Sequence, residues 1–165
     1  MKSHFNASWW LAVLMALPML ALAHDPKPAT PAAPVVTVSD QAKPVVAVVE
    51  QFSAAMHAGD LDRAGALLAD DVLILESGGA EHSRAEYLGG HAIHDAAFLK
   101  TAHSQVKQRA ARVDGGMAWV GTETEFHTTK DGKAMILLST ETMVLKQTLA
   151  GWKIVHIHWS SRPKH

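Results

Sequence analysis

Between Val45 and Met56 the apolar residues Val45, Val48, Val49, Phe52 and Met56 recur at helical spacing in one stripe, and Gly59 follows where such a helix would end. Asp60 is placed to cap a second helix over Leu61–Ala69, with Leu61, Ala64, Leu67 and Leu68 on one side. The period then changes. Val72–Glu76 is a short apolar run closed by Ser77-Gly78-Gly79, the pattern of a strand and turn. Ser83-Arg84-Ala85-Glu86 spells a capping box and opens a third helix to about Thr101, with the unfavourable pair Gly89-Gly90 near its middle. Four strand-like segments complete the chain: His103–Val113, Met117–Thr129, Ala134–Thr148 and Trp152–Ser161. Asp114-Gly115-Gly116, the hairpin signal Asp131-Gly132 and Ala150-Gly151 separate them. Three helices followed by a meander predict an α+β domain, with the helices on one face of an antiparallel sheet.

The segment before this domain has a different character. Residues 1–23 carry Lys2, an apolar stretch from Trp9 to Leu20, and the small-x-small sequence Ala21-Leu22-Ala23. That is the layout of a signal peptide cleaved after Ala23, and the apolar run is short of the roughly 20 residues that span a bilayer. The expected location is therefore periplasmic or secreted, with no membrane attachment after cleavage. Residues 24–42 hold prolines among Ala, Thr and Val and are expected to form a semi-extended tether. Cleavage would expose His24, whose free amine and imidazole together can chelate copper.

Composition narrows the function. There are 15 Lys and Arg against 16 Asp and Glu, a formal net charge of −1, so no basic stripe is available to neutralise a nucleic acid. With no cysteine, disulfides, thiolate metal sites and cysteine nucleophiles are all excluded. Eleven histidines beside a single tyrosine are the unusual feature.

On the third helix Tyr87, His91, His94 and Phe98 recur at i+4, i+3 and i+4, with Asp95 alongside and within reach of His91. Imidazole, phenol and carboxylate on a stripe that normally carries Leu or Val form a polar site that must be satisfied internally. On the last strand, period two groups Trp152, Ile154, His156, His158 and Ser160 on one face and Lys153, Val155, Ile157 and Trp159 on the other. Glu76 shares a face with Val72 and Ile74, and Glu141 and Trp119 are further candidates for ligand contact; His82 stands near the expected rim.

The order of elements, Ala58-Gly59-Asp60 between the first two helices and the closing Gly151-Trp-Lys-Ile-Val-His-Ile-His-Trp-Ser160 resemble the nuclear transport factor 2-like, or SnoaL-like, superfamily. Within it, Ser139–Leu145 followed by Trp152–Ser160 is most similar to the association domain of calcium/calmodulin-dependent kinase. The resemblance covers residues 43–162 and implies a cone: a curved antiparallel sheet wrapped on three helices, a pocket at the open end, the Trp152/His158 face turned inward, and a homodimer formed through the sheet's outer face. Thr124 or its neighbours and Met143 stand where the kinase domain has pocket arginines, and the catalytic His-Asp pair of SnoaL and Tyr/Asp set of ketosteroid isomerase do not map residue by residue, so the resemblance carries over the architecture alone.

The function expected is the binding of a small organic ligand in the cone, with cofactor-independent acid–base chemistry of isomerase, cyclase, dehydratase or hydrolase type. His158, or His91 with Asp95, would act as base. Tyr87, His94, Phe98, Glu76, Trp119, Glu141, Trp152 and His156 would line the site. The alternatives are a non-enzymatic zinc- or copper-binding protein using His91, Asp95, His156 and His158, and a dimeric assembly module.

Overall fold

The computed structural model describes residues 35–164. The expected leader, its cleavage junction and His24 lie outside the described residues. The tether expected to run to residue 42 does not stay unstructured over its described part: Val35–Thr37 form strand β1, and Asp40–Ala42 make a 3-10 turn with Ala42 fully buried. Past Pro34, the run Val35-Val36-Thr37-Val38 is β-branched and free of proline, which suits a strand.

Helix α1 (Lys43–Ala58) buries Val45, Val46, Val49, Phe52, Ala55 and Met56 and ends on Gly59, whose left-handed φ of 70° lets its N–H reach the carbonyls of Ala55 and Met56. Asp60 accepts from the Arg63 N–H at 3.0 Å and starts α2 (Leu61–Leu67). This helix stops two residues before the expected Ala69, because Leu68 is drawn into strand β2 (Leu68–Glu76) opposite Ile154. A turn with φ of 44° at Ser77 and 89° at Gly78 leads to β3 (Gly79–Glu81).

The expected third helix is two. The Ser83 hydroxyl accepts from the Glu86 N–H at 3.1 Å, opening α3 (Arg84–Gly89), and the chain breaks at Gly90 before α4 (His91–Thr101). Gly89-Gly90 is too weak a helix former to carry the turn through. The strands β4 (His103–Asp114), β5 (Met117–Lys130), β6 (Lys133–Thr148) and β7 (Gly151–Pro163) follow as expected, each with bounds within a few residues.

The sheet order is β1-β4-β5-β6-β7-β2-β3. Pairing is antiparallel from β4 through β7 and between β2 and β3, but β1 with β4 and β2 with β7 are parallel, so the sheet is mixed. The core lies between the helices and one sheet face, where Phe52, Met56, Leu68, Ile74, Met143, Leu145, Ile154 and Ile157 are all 1% exposed or less.

A β-bulge on β7 revises the expected faces of that strand. Leu145 opposes Ile154 while its neighbour Val144 opposes His156, leaving Val155 as an extra residue. The alternation slips there, so Ile154, Ile157 and Trp159 turn toward the helices. His156 and His158 turn outward with Leu73 and Leu75, the residues they pair with on β2. The inward orientation expected for the Trp152/His158 face therefore ends before His156. Ile157→Ala should cost about 2–5 kcal/mol from a buried cavity, whereas His158→Ala should stay within about 0.5 kcal/mol as a surface change. Urea denaturation of the two variants measures both.

Candidate functional site

One cross-strand row supplies much of the site. Arg109 on β4 opposes Thr122 on β5, Thr122 opposes Glu141 on β6, Glu141 opposes Trp159 on β7, and Trp159 opposes Glu76 on β2. All five line one cavity of about 270 Å³, close to the lower end of small-ligand sites. Its apolar wall comes from Phe52 and Met56 of α1, Phe98 and Leu99 of α4, and Val106, Phe126 and Leu137 of the sheet. Phe98 and Phe126 meet edge to face at 5.6 Å, and Trp159 stacks on Phe52 at 6.4 Å.

Three carboxyl groups face this cavity: Glu76, Asp95 and Glu141. Burial raises the pKa of each. For Asp95 the rise is opposed by the Tyr87 hydroxyl, which donates to Oδ2 at 3.0 Å, and by the nearby charge of His91. For Glu141 it is opposed by the Trp159 indole N–H, which donates to Oε2 at 2.7 Å, and by Arg109. For Glu76 the Asp95 charge adds to burial, and His91 opposes them. Tyr87 is fully buried beneath Trp159, with ring centroids 6.1 Å apart. Burial and the Asp95 charge push its pKa far above the ordinary phenol value, so it remains an O–H donor.

His91 joins this cluster to solvent. Its Nδ1 contacts Oε1 of buried Glu81 and lies 3.8 Å from Oε1 of Glu76, while the side chain is 47% exposed. The Glu81 carboxylate, ahead of Glu76 and Asp95, raises the imidazole pKa. Arg109 is already engaged: its guanidinium donates to Glu50 at 2.7 Å and to Thr122 at 3.3 Å.

The helix residues expected from sequence divide cleanly. Asp95 and Phe98 line the cavity, Tyr87 supports it from behind, His91 stands at its solvent side, and His94 is exposed. Glu76 and Glu141 reach the cavity as expected. Trp119 does not: it is 40% exposed and paired with Val144 and Arg112. Trp152 packs against the core at the other end of β7. His156 Nδ1 donates to the Leu73 carbonyl oxygen, 2.8 Å away, since a carbonyl can only accept.

His158 is exposed on the outer face, so it cannot act as base in the cavity. The same bulge separates His156 and His158 from His91 and Asp95, and these four do not assemble. Among the described residues, no group of three or more His, Asp or Glu side chains is arranged to hold a metal ion. His82 is exposed, its N–H donating to Glu86 at 2.8 Å. Sequence reasoning missed Arg109, and it missed Ser53, His57 and Ser104, which also line the cavity. The i, i+4 spacing of Ser53 and His57 beside the apolar stripe of α1 was the available signal.

This architecture is that of a SnoaL-like domain, and the SnoaL-like domain family matches residues 45–163. The chain belongs to that family. It is 32% identical to a candidate ketosteroid isomerase of Shewanella frigidimarina, over 76% of this chain and 98% of the other, with a TM-score of 0.69. It is 21% identical to a candidate calcium/calmodulin-dependent protein kinase II association domain of Xanthomonas campestris, over 83% of this chain and 99% of the other, with a TM-score of 0.64. A candidate dehydratase of the nuclear transport factor 2-like family from Streptomyces avermitilis matches at 19% identity over 73% of this chain and 95% of its own, TM-score 0.62. These last two likenesses show the fold. Comparison with curated proteins returns no match.

The raised pKa of Asp95 links the site to stability. Folded Asp95 keeps its proton to higher pH than the unfolded chain, whose ordinary value is 3.8. Its contribution is therefore full below that value and is lost as pH rises through the folded one. Asp95→Asn keeps an acceptor for Tyr87 and carries no charge. Relative to wild type, the variant's melting temperature should rise as pH goes from about 4 to about 7. Thermal unfolding at both pH values measures it, and a constant difference would contradict the burial assigned to this carboxyl group.

Proposed function

We propose that this protein is a cofactor-independent acid–base enzyme of isomerase or dehydratase type, acting on a small, largely apolar and uncharged organic molecule. The observation that carries the reading is Asp95: a carboxyl group with raised pKa, facing an apolar cavity and oriented by a buried phenol that stays protonated. A carboxylate whose pKa approaches the working pH is a stronger base than one in water, and proton transfer by a positioned group is worth about 10²–10⁴-fold.

In this reading Asp95 removes a proton next to a carbonyl or hydroxyl-bearing carbon and returns it at another. Tyr87 is a positioning residue that holds the carboxylate. Glu141, which burial biases toward its neutral form and which Trp159 holds, donates to the substrate oxygen on which negative charge develops. Glu76 and His91 exchange the proton with solvent, since His91 borders both. Phe52, Phe98 and Phe126 exclude water around the reacting atoms. The candidate ketosteroid isomerase and dehydratase among the relatives support the reaction class.

Incubation with a panel of cyclic β,γ-unsaturated ketones and β-hydroxy ketones in D₂O, followed by proton NMR, tests this. Deuterium uptake or double-bond migration above the buffer rate is expected, slowed about 10²–10⁴-fold in Asp95→Asn. No turnover across the panel, or an unchanged rate in the variant, would sink the proposal.

Export and self-association belong to the same reading. The layout of residues 1–23 supports export. The outer-face residues Met117 and Trp119, 43% and 40% exposed, support a homodimer, as does the likeness to a kinase association domain. Native mass spectrometry of protein expressed with residues 1–23 should give a dimer of chains beginning at His24; a full-length chain would refute export, and a monomer would refute dimerisation.

A further inference from the structure

A second centre in the same cavity has no part in the carboxylate chemistry. His57 lies in the last turn of α1 with its imidazole Nδ1 2.8 Å from the Ser53 carbonyl oxygen. That oxygen can only accept, so Nδ1 carries the proton. In the neutral ring Nε2 then presents its lone pair, and Ser104 Oγ lies 3.3 Å from it. Both side chains are half-buried and both line the cavity.

Ser104 is held independently of His57. It is the second residue of β4 and pairs with Phe126 on β5. Two different elements thus bring a hydroxyl and a tautomerically defined base together at the wall of a ligand-sized cavity. A base oriented by a third group and within reach of a hydroxyl is the arrangement that activates a serine, and such contacts tend to be long when no substrate is bound. Thr124 lies on β5 diagonally across from Ser104, which pairs with Phe126, and its side chain also lines the cavity. Its hydroxyl is a candidate donor for an oxygen that becomes negative beside Ser104.

We infer that Ser104 and His57 form a nucleophile–base pair that gives the cavity a second activity, hydrolysis of small carboxylic esters with an apolar acyl group. Ser104 Oγ attacks the ester carbonyl carbon while its proton passes to His57 Nε2. The ester C–O bond breaks, and the departing alkoxide takes that proton and leaves as an alcohol. Water then adds to the acyl carbon, giving a proton to Nε2; the Oγ–acyl bond breaks, the carboxylic acid leaves, and Oγ recovers the proton. The apolar wall of Phe98, Val106 and Phe126 fits a short alkyl or aryl acyl chain.

Two measurements test the pair. The first uses an alkyl fluorophosphonate on the wild-type protein, with tryptic mapping. The adduct should fall on Ser104, within the peptide 101–107 bounded by Lys100 and Lys107, and labelling should slow at least tenfold in His57→Gln. No adduct at millimolar probe, or the same labelling in Ser104→Ala, would overturn the proposal.

The second needs no oxyanion donors. The chain has no cysteine, so Ser104→Cys introduces one thiol at the position His57 is said to activate. At pH 6.5 iodoacetamide should alkylate it at least tenfold faster than it alkylates glutathione, and the added His57→Gln substitution should remove that advantage. Reactivity equal to or below glutathione, or insensitive to His57, would show that the contact only ties α1 to β4. A melting temperature for each variant confirms that folded protein is being compared. Neither readout depends on Asp95 chemistry, so failure here and failure of the isomerase reading are distinguishable.

Discussion

The last strand runs between β6 and β2, and the single extra residue at Val155 decides which of its side chains face the helices. Without that bulge, strict alternation from Ile154 would send His156 and His158 inward and expel Ile157 and Trp159. With it, Ile154 and Ile157 both reach the core, and Trp159 arrives over Phe52 and Tyr87 with its indole on Glu141. A buried Ile contributes about 1.5–3 kcal/mol by leaving water, whereas an imidazole in the same place needs polar partners to avoid a cost of similar size. Burial of the isoleucines therefore wins. The position of Glu141, and with it one side of the cavity, follows from that choice.

The cavity keeps its carboxyl groups by giving each a limited set of partners. Asp95 has a phenol, Glu141 an indole and a more distant guanidinium, and Glu76 a half-exposed imidazole. Among the described residues neither Asp95 nor Glu141 has a salt bridge, and Arg109, the cation nearest Glu141, is already held by Glu50 and Thr122. A bidentate arginine would pin such a carboxylate in its charged form and depress its pKa. At Asp95 and Glu141 a single neutral donor fixes the carboxyl group in place and leaves burial as the largest influence on its proton. Fixed geometry with an available proton is the combination that general acid–base chemistry needs. The same groups weaken the fold as they ionise, which is the usual cost of a site built for chemistry.

Much of this was legible from local pattern. The α1 stripe, the Gly59 cap, the capping box at Ser83 and the Asp131-Gly132 hairpin each appear where expected, because each depends on residues close in sequence. That Glu76, Asp95, Phe98 and Glu141 line the cavity with Tyr87 behind them was legible for a similar reason: they lie on a helix stripe or strand face that otherwise packs inward. The Gly90 break altered the helix but not the outcome, since Tyr87 still reaches Asp95 across it. His158, His156 and Trp119 were misassigned because strand parity cannot reveal an inserted residue. His57 and Ser104 are 47 positions apart, and no local period connects them.

The sequence by itself determined the class of the protein. Helical and strand periods, caps and turns specify an α+β domain, and the closing motif on β7 marks the SnoaL-like family that residues 45–163 match. These are nearest-neighbour properties: each turn or cap is decided by a few residues competing for their own backbone hydrogen bonds. Only the tertiary structure decided the site. Which carboxyl groups lose water, which arginine is already occupied, and which histidine meets a serine all depend on the register between strands distant in sequence. Register is set by burying the greatest apolar area over the whole sheet, a global condition to which the histidines of β7 contribute almost nothing, and so they were left outside.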